Sequence, residues 1–207
     1  MKKNWERFAK VFTKFCLVAI VFAVILTVNS TQAQAASTRT KALNAYNKLL
    51  SQKSLKWSGK TKVSTNKCKF AVIYVDKDSV PELFVDAGGA GTNHVSGFYK
   101  LYTFWNGKVR DVCTMRDGFG YYKKKGIFQT YTMLHGEYTT YQKLASGKSS
   151  VKLSSESYFT TNYYDSNNKK ISKAMFNKSL KSLVGTAKVS VPVCKINTKA
   201  NRTKYLK

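Results

Sequence analysis

The sequence predicts an α+β domain: an antiparallel β-meander flanked by an N-terminal and a C-terminal helix, with a partly closed β-barrel as the alternative arrangement of the same strands. Three observations carry this. Apolar residues recur at helical spacing near both ends of the chain and not between them. The middle is rich in Tyr, Phe, Thr and Val, with Gly or Asn at its bends. The strand-like runs are short and joined by tight turns, which makes neighbours antiparallel. A sheet with one face on helices accounts for the apolar stripe on each flanking segment.

In "STRTKALNAYNKLL", Leu43, Tyr46 and Leu49/Leu50 fall on one helical face, and Ser37, Thr38 or Thr40 is placed to cap its start. "SQKSLKWSGK" reads as a loop with Leu55 and Trp57 turned inward. "KFAVIYV" is apolar at consecutive positions, as in a central strand covered on both faces. "ELFVD" follows, with Pro81 at its mouth. "GFYKLYTFWNGKVRDVCTM" is a hairpin with Asn106-Gly107 as a type I′ turn. "GYYKKKGIFQTYTML", "HGEYTTYQKLASGKSSVKLSS" and "SYFTTNYYDSNNKK" supply further strands. In "SKAMFNKSLKSLVG" the spacing becomes helical again: Met175/Phe176, Leu180 and Leu183/Val184 form a stripe, Ser172 caps and Gly185 terminates. An edge strand over Val189–Ile196 and a basic tail complete the chain.

Residues 1–36 have the three parts of a secretory signal: a basic start, the uncharged run Phe15–Val28, and Ala33-Gln34-Ala35 as an A-x-A cleavage site. Cleavage near Ala35 or Ala36 leaves residues 37–207 as a single domain with a basic C-terminal tail and no transmembrane segment. The retained-anchor alternative needs a longer apolar run than this one. Three cysteines then remain, Cys68, Cys113 and Cys194, an odd number that does not make a disulfide framework and matches no zinc spacing.

Charge is the strongest compositional fact. The chain carries a formal +26, and the leader's five Lys/Arg and one Glu leave +22 for the remainder. Residues 37–67 hold eight Lys/Arg and no acid, and residues 166–207 hold eleven and no acid, while residues 68–165 are nearly balanced. A field of this size draws polyanions. The expected contact residues are Lys41, Lys48, Lys173, Lys178 and Lys181 on the two helices, with Lys199, Arg202 and Lys204 of the tail at the margin. Two helices side by side on the sheet would merge these into one surface.

The scarce acids gather between two strands. "YVDKDSVPELFV" places Asp76, Asp78 and Glu82 around one turn. Asp76 with Glu82 has the residue types of a glycosidase pair, but carboxylates at a turn are commonly structural and no second acidic cluster completes a cleft. Cys113 with His135 has the residue types of a thiol nucleophile and base, without a family motif to bring them together. "DAGGAGTNH" lacks the Lys-Ser/Thr ending of a phosphate loop. "GYYKKKG" interleaves lysine and tyrosine, as in nucleic-acid or sugar contacts, and equally as in a solvated hairpin tip.

Together, "YVDKDSVPELFV", "YTFWNGKV" and "NYYDSNNKKISKAMFNKSL" resemble a pattern of secreted and wall-associated proteins of clostridial-type Gram-positive bacteria. In it an acidic D-x-D-x-[DN]-G-x-[PK]-E-L loop, similar to that of FG-GAP/VCBS calcium-binding repeats, separates two strands. The resemblance implies location and fold more than activity. Here Tyr74 stands at the first acidic position and Ser79 at the turn glycine. A calcium ion takes six to eight oxygens, so Asp76, Asp78 and Glu82 read as a degenerate loop without metal. Its carboxylates would cap the turn and pair with lysines such as Lys77.

These readings combine into an expectation. The protein is exported, to the medium or the cell wall. It has no catalytic residues and no cofactor, and it associates with anionic wall polymers or other polyanions. A secreted enzyme acting on wall or host glycan, and an extracellular nucleic-acid binder, are the alternatives.

Overall fold

The computed structural model describes residues 34–57, 61–88, 98–133 and 135–207. The leader up to residue 33, most of the glycine-rich "DAGGAGTNH" stretch and His94 lie outside the described residues. The chain divides into two compact units, residues 1–38 and 39–207. The second contains every element described below, apart from the first residues of α1.

Residues 34–50 are helical (α1). The helix begins upstream of Ser37, Thr38 and Thr40, so none of them caps it. The Thr38 hydroxyl instead donates to the Gln34 carbonyl one turn back, at 2.9 Å. Gln34, Ala35 and Ala36 are strong helix formers and carry the helix past the expected cap. Ala42, Leu43, Tyr46 and Leu50 are its buried face.

The strands follow in order: β1 (Ser54–Lys56), β2 (Lys62–Ser64), β3 (Lys69–Ile73), β4 (Glu82–Asp86), β5 (Phe98–Trp105), β6 (Lys108–Arg116), β7 (Gly118–Tyr122), β8 (Ile127–Met133), β9 (Glu137–Ala145), β10 (Lys148–Ser157), β11 (Thr161–Asp165), β12 (Lys170–Ile171) and β13 (Lys195–Ile196). Helix α2 spans Lys173–Val184, and α3 spans Lys199–Tyr205. The predicted α+β meander with flanking helices is present, and among the described residues no sheet closes into a barrel.

The meander is folded in two. β3 to β6 form one antiparallel sheet, joined at its β3 edge by β13, and β7 to β12 form a second. The fold occurs at Asp117, whose φ of 64° breaks the extended path between β6 and β7. A left-handed residue there turns the chain from one sheet to the other. β1 and β2 make a small separate hairpin.

Alternation along the strands assigns the layers. On β4, Leu83 and Val85 pack with α1, while Phe84 between them packs with Phe119, Phe128 and Leu144 of the second sheet. On the second sheet, Tyr122, Ile127 and Tyr141 face away from that inter-sheet core and meet Leu180, Leu183 and Val184 of α2. The order is therefore α1, first sheet, second sheet, α2. The two helices cover opposite outer faces, which corrects the expectation that they lie side by side.

Both expected ends of α2 are in place. Ser172 Oγ accepts from the Met175 N–H at 3.2 Å, and Gly185 terminates at φ 63°. Met175 itself is exposed, leaving Phe176 and Val184 to anchor the stripe, with Phe176 against Tyr141 and Tyr163. Asn106 and Gly107 both have positive φ, as a type I′ turn requires. The Val189–Ile196 edge is only partly a strand: Ser190 bridges Tyr121 of β7, and β13 pairs with β3. This segment thus runs from the edge of one sheet to the edge of the other.

Candidate functional site

The acidic loop links β3 to β4. The Asp78 N–H donates to Asp76 Oδ1 at 3.1 Å, and the Val80 N–H donates to Asp78 Oδ1 at 2.8 Å. These are the self-closing turns that aspartates favour. Glu82, at the start of β4, is fully buried. Its Oε2 accepts from the Val75 N–H at 2.8 Å and its Oε1 from the Thr103 hydroxyl at 3.3 Å. The Pro81 carbonyl accepts from the buried Tyr46 hydroxyl at 2.9 Å, tying the loop to α1.

One carboxylate oxygen from each of Asp76, Asp78 and Glu82 lies within 4.8 Å of the others. Their mutual repulsion and burial leave a mark. Burial, then the charge of Asp78 and its hydrogen bond, push Asp76 up to about 6. Burial pushes Glu82 up to about 8, with the Val75 N–H pulling it back and the two aspartates raising it further. Glu82 therefore holds its proton through most of the neutral range. The expected pairing with Lys77 is not formed: among the described residues the ion pair is Lys100–Asp111. Lys77 is exposed at the loop tip, where an ion pair gains little over water.

This donor set fits calcium poorly. Its three carboxylates carry six oxygens, the fewest calcium takes, and four of these already accept protein hydrogen bonds. It fits general acid–base work no better, because the fully buried Glu82 is closed to substrate. Cys113 and His135 do not form a dyad either. Cys113 lies against the inter-sheet core, with its thiol pushed up to about 12 by burial, and His135 sits at a left-handed turn position between β8 and β9.

The basic residues divide in two. Lys41 and Lys48 are exposed on α1, seven residues apart and so about 10 Å along one face. The tail folds as α3 and docks beside them. Leu206 is buried in the α1 core, and Arg202 Nε donates to Asn47 Oδ1 at 3.2 Å. Lys199 and Lys204 are exposed, and together with Lys207 they line a shallow concavity on the outward side of α3. Lys173, Lys178 and Lys181 lie on α2, on the opposite outer layer. Arg202 is half-buried and held by Asn47 and Asn197, so its role is to position the tail.

The residue that organises this surface carries no signal in the sequence. Asn197 is buried, and its Nδ2 donates to the carbonyls of Leu50 and Thr65, both at 2.9 Å. Its backbone N–H donates to the Cys68 carbonyl at 3.0 Å, and its Oδ1 accepts from Arg202 Nη1 at 3.0 Å. One residue thus clamps the end of α1, the turn between β2 and β3, and α3. The "GYYKKKG" segment is the β7–β8 hairpin tip, but it is not simply solvated. The Lys124 and Gly126 N–H groups donate to the Tyr74 and Val75 carbonyls, so the backbone of the tip is tied to the acidic loop while the three lysine side chains are exposed.

Cys68, Cys113 and Cys194 are free thiols. Burial pushes Cys68 and Cys194 up to about 11, away from the thiolate form. Among the described residues, no helix is long and apolar enough to cross a membrane. Compared with family models, with curated proteins and with solved structures, the chain matches none.

Proposed function

We propose that the protein is exported and binds anionic polymers of the cell surface, without catalysis, through the layer built by α1 and α3. The observation that carries this reading is the docking of α3 on α1. It brings the two acid-free ends of the chain together, so that Lys41, Lys48, Lys199, Lys204 and Lys207 share one outer face. The leader pattern and the resemblance to wall-associated proteins support the location. The α2 lysines form a second basic face that adds to the field without sharing the contact.

Association of this kind releases counterions, so affinity falls steeply with salt. The test measures retention on isolated Gram-positive cell walls at about 50 mM and about 200 mM NaCl, a range over which several phosphate contacts lose most of their strength. A loss of at least about tenfold in affinity is expected between them. Retention that is indifferent to salt would point away from a charged face and towards a ligand held by fixed contacts.

A further inference from the structure

On the α1-facing side of the first sheet, the end of α1 borders the β5–β6 edge at Leu49 and does not line the stretch beside Phe98 and Arg116. Phe98, Lys100 and Tyr102 alternate along β5 and so share that face, opposite Arg116, Thr114 and Asp111 of β6. Two cavities open there. One, of about 440 Å³, is lined by Lys100, Tyr102, Val109 and Asp111. The other, of about 550 Å³, is lined by Thr61, Phe98, Thr114, Arg116 and Thr132. Trp57 belongs to the walls of both, so they are the halves of one groove. The stretch Phe98 to Tyr102 alone gives it a length of about 14 Å at strand rise.

Two polar groups of this groove have no hydrogen-bond or ion-pair partner among the described residues. The Trp57 side chain is buried, yet its Nε1–H meets no hydrogen-bond partner, a state that costs free energy and that buried indoles normally avoid. Arg116 is stacked over the Phe98 ring at 4.8 Å, and among the described residues it has no carboxylate within 4 Å. In the other half, Lys100 is already neutralised: its Nζ meets Asp111 at 2.6 Å and donates to the Trp57 carbonyl at 2.6 Å. The open capacity is therefore a guanidinium and three threonine hydroxyls beside the buried indole, with Asp111, half-exposed, free to accept from a hydroxyl at the far end.

We infer that this groove binds a short stretch of an extended polyol-phosphate chain, packed against the Trp57 indole in the shared wall, with one phosphate at Arg116 and hydroxyls along Thr114 and Asp111. The chemistry follows from the donors. A bidentate guanidinium suits a phosphate, while a purely anionic chain without hydroxyls would leave the threonines and Asp111 unmatched. This site rests on the polymer-binding reading and adds to it a fixed contact, separate from the α1–α3 face.

The test uses the full chain with 15N-labelled indoles, titrated with a glycerol-phosphate oligomer, with inorganic polyphosphate and with a neutral oligosaccharide. The chain has three tryptophans, and Trp57→Phe assigns the signal. The oligomer is expected to move the Trp57 indole signal, polyphosphate to bind at least about tenfold more weakly there, and the neutral sugar not to bind. Arg116→Gln should weaken the oligomer about tenfold while leaving the melting temperature within about a degree. Lys48→Glu with Lys199→Glu and Lys204→Glu should weaken wall retention at least about tenfold yet leave the indole shift in place. An oligomer that leaves the Trp57 signal unmoved up to millimolar concentration, or binds equally well to the Arg116→Gln protein, overturns the groove whether or not the walls are retained. An indole shift with no salt-sensitive retention upholds the groove and overturns the α1–α3 face.

Discussion

Glu82 concentrates the tension between charge and burial in this molecule. An unfolded glutamate ionises near pH ~4.3, whereas Glu82 in the fold ionises at about 8. The folded state holds the proton more tightly, so the stabilisation is full below about pH 4 and is lost as pH rises through about 8. Asp76, raised to about 6, adds in the same direction. The melting temperature is therefore expected to fall between about pH 5 and about pH 9, by an amount corresponding to a few kcal/mol. Glu82→Gln, which stays neutral and keeps an acceptor for the Val75 N–H, should flatten most of that slope. Equal slopes in both proteins would show that the carboxyl is not the group titrating. The same loop predicts that melts in millimolar calcium and in chelator coincide, because four of its six carboxylate oxygens are already engaged; a calcium-dependent rise of several degrees would contradict this. Burial governs the three thiols as well. Iodoacetamide on the unreduced protein should label Cys68, Cys113 and Cys194 quickly in denaturant and slowly in the native state, since burial both covers them and disfavours the thiolate. A mass showing a disulfide would contradict the structure.

Among the elements, the turns and the tail divide what was legible from what was not. Asn106-Gly107, Ser172 and Gly185 were readable because each satisfies a local backbone requirement that few residues meet. α3 was not: its seven residues carry one aromatic and no repeating stripe, and its docking depends on Leu206 and on Asn197, far from their partners in sequence. The same holds for Asp117, whose bend gives the meander two layers through a single dihedral. The gathering of acids was visible, but the burial of Glu82 was not, since it follows from the register of β4 on β3. Two substitutions check these elements. Leu206→Ala should cost about 2–5 kcal/mol in unfolding free energy measured by urea denaturation. Gly147→Ala should cost about 1–3 kcal/mol, because Gly147 has φ of 73° and a Cβ there would lie 2.8 Å from Trp105 Cβ. Little loss at Leu206 would mean that α3 is not docked as described.

At the scale of the whole molecule, the basic ends of the chain do not make one surface but two, on opposite outer layers. α1 with α3 makes one, and α2 makes the other. Net charge alone would let either face, or both, hold an anionic polymer. The contact is proposed for the α1–α3 face because docking of the tail places lysines from both ends of the chain there. The layers also allow the faces to be altered independently, since neither helix packs on the other's core. The most direct measurement compares retention on isolated walls, at one salt concentration, for three charge-reversed proteins. Lys48, Lys199 and Lys204 are changed to Glu in the first, Lys173, Lys178 and Lys181 in the second, and Lys123, Lys124 and Lys125 in the third. All three lose the same net charge. The first is expected to lose at least about tenfold more retention than either of the others. Equal losses in all three would contradict the assignment, by showing that total charge rather than this surface holds the polymer.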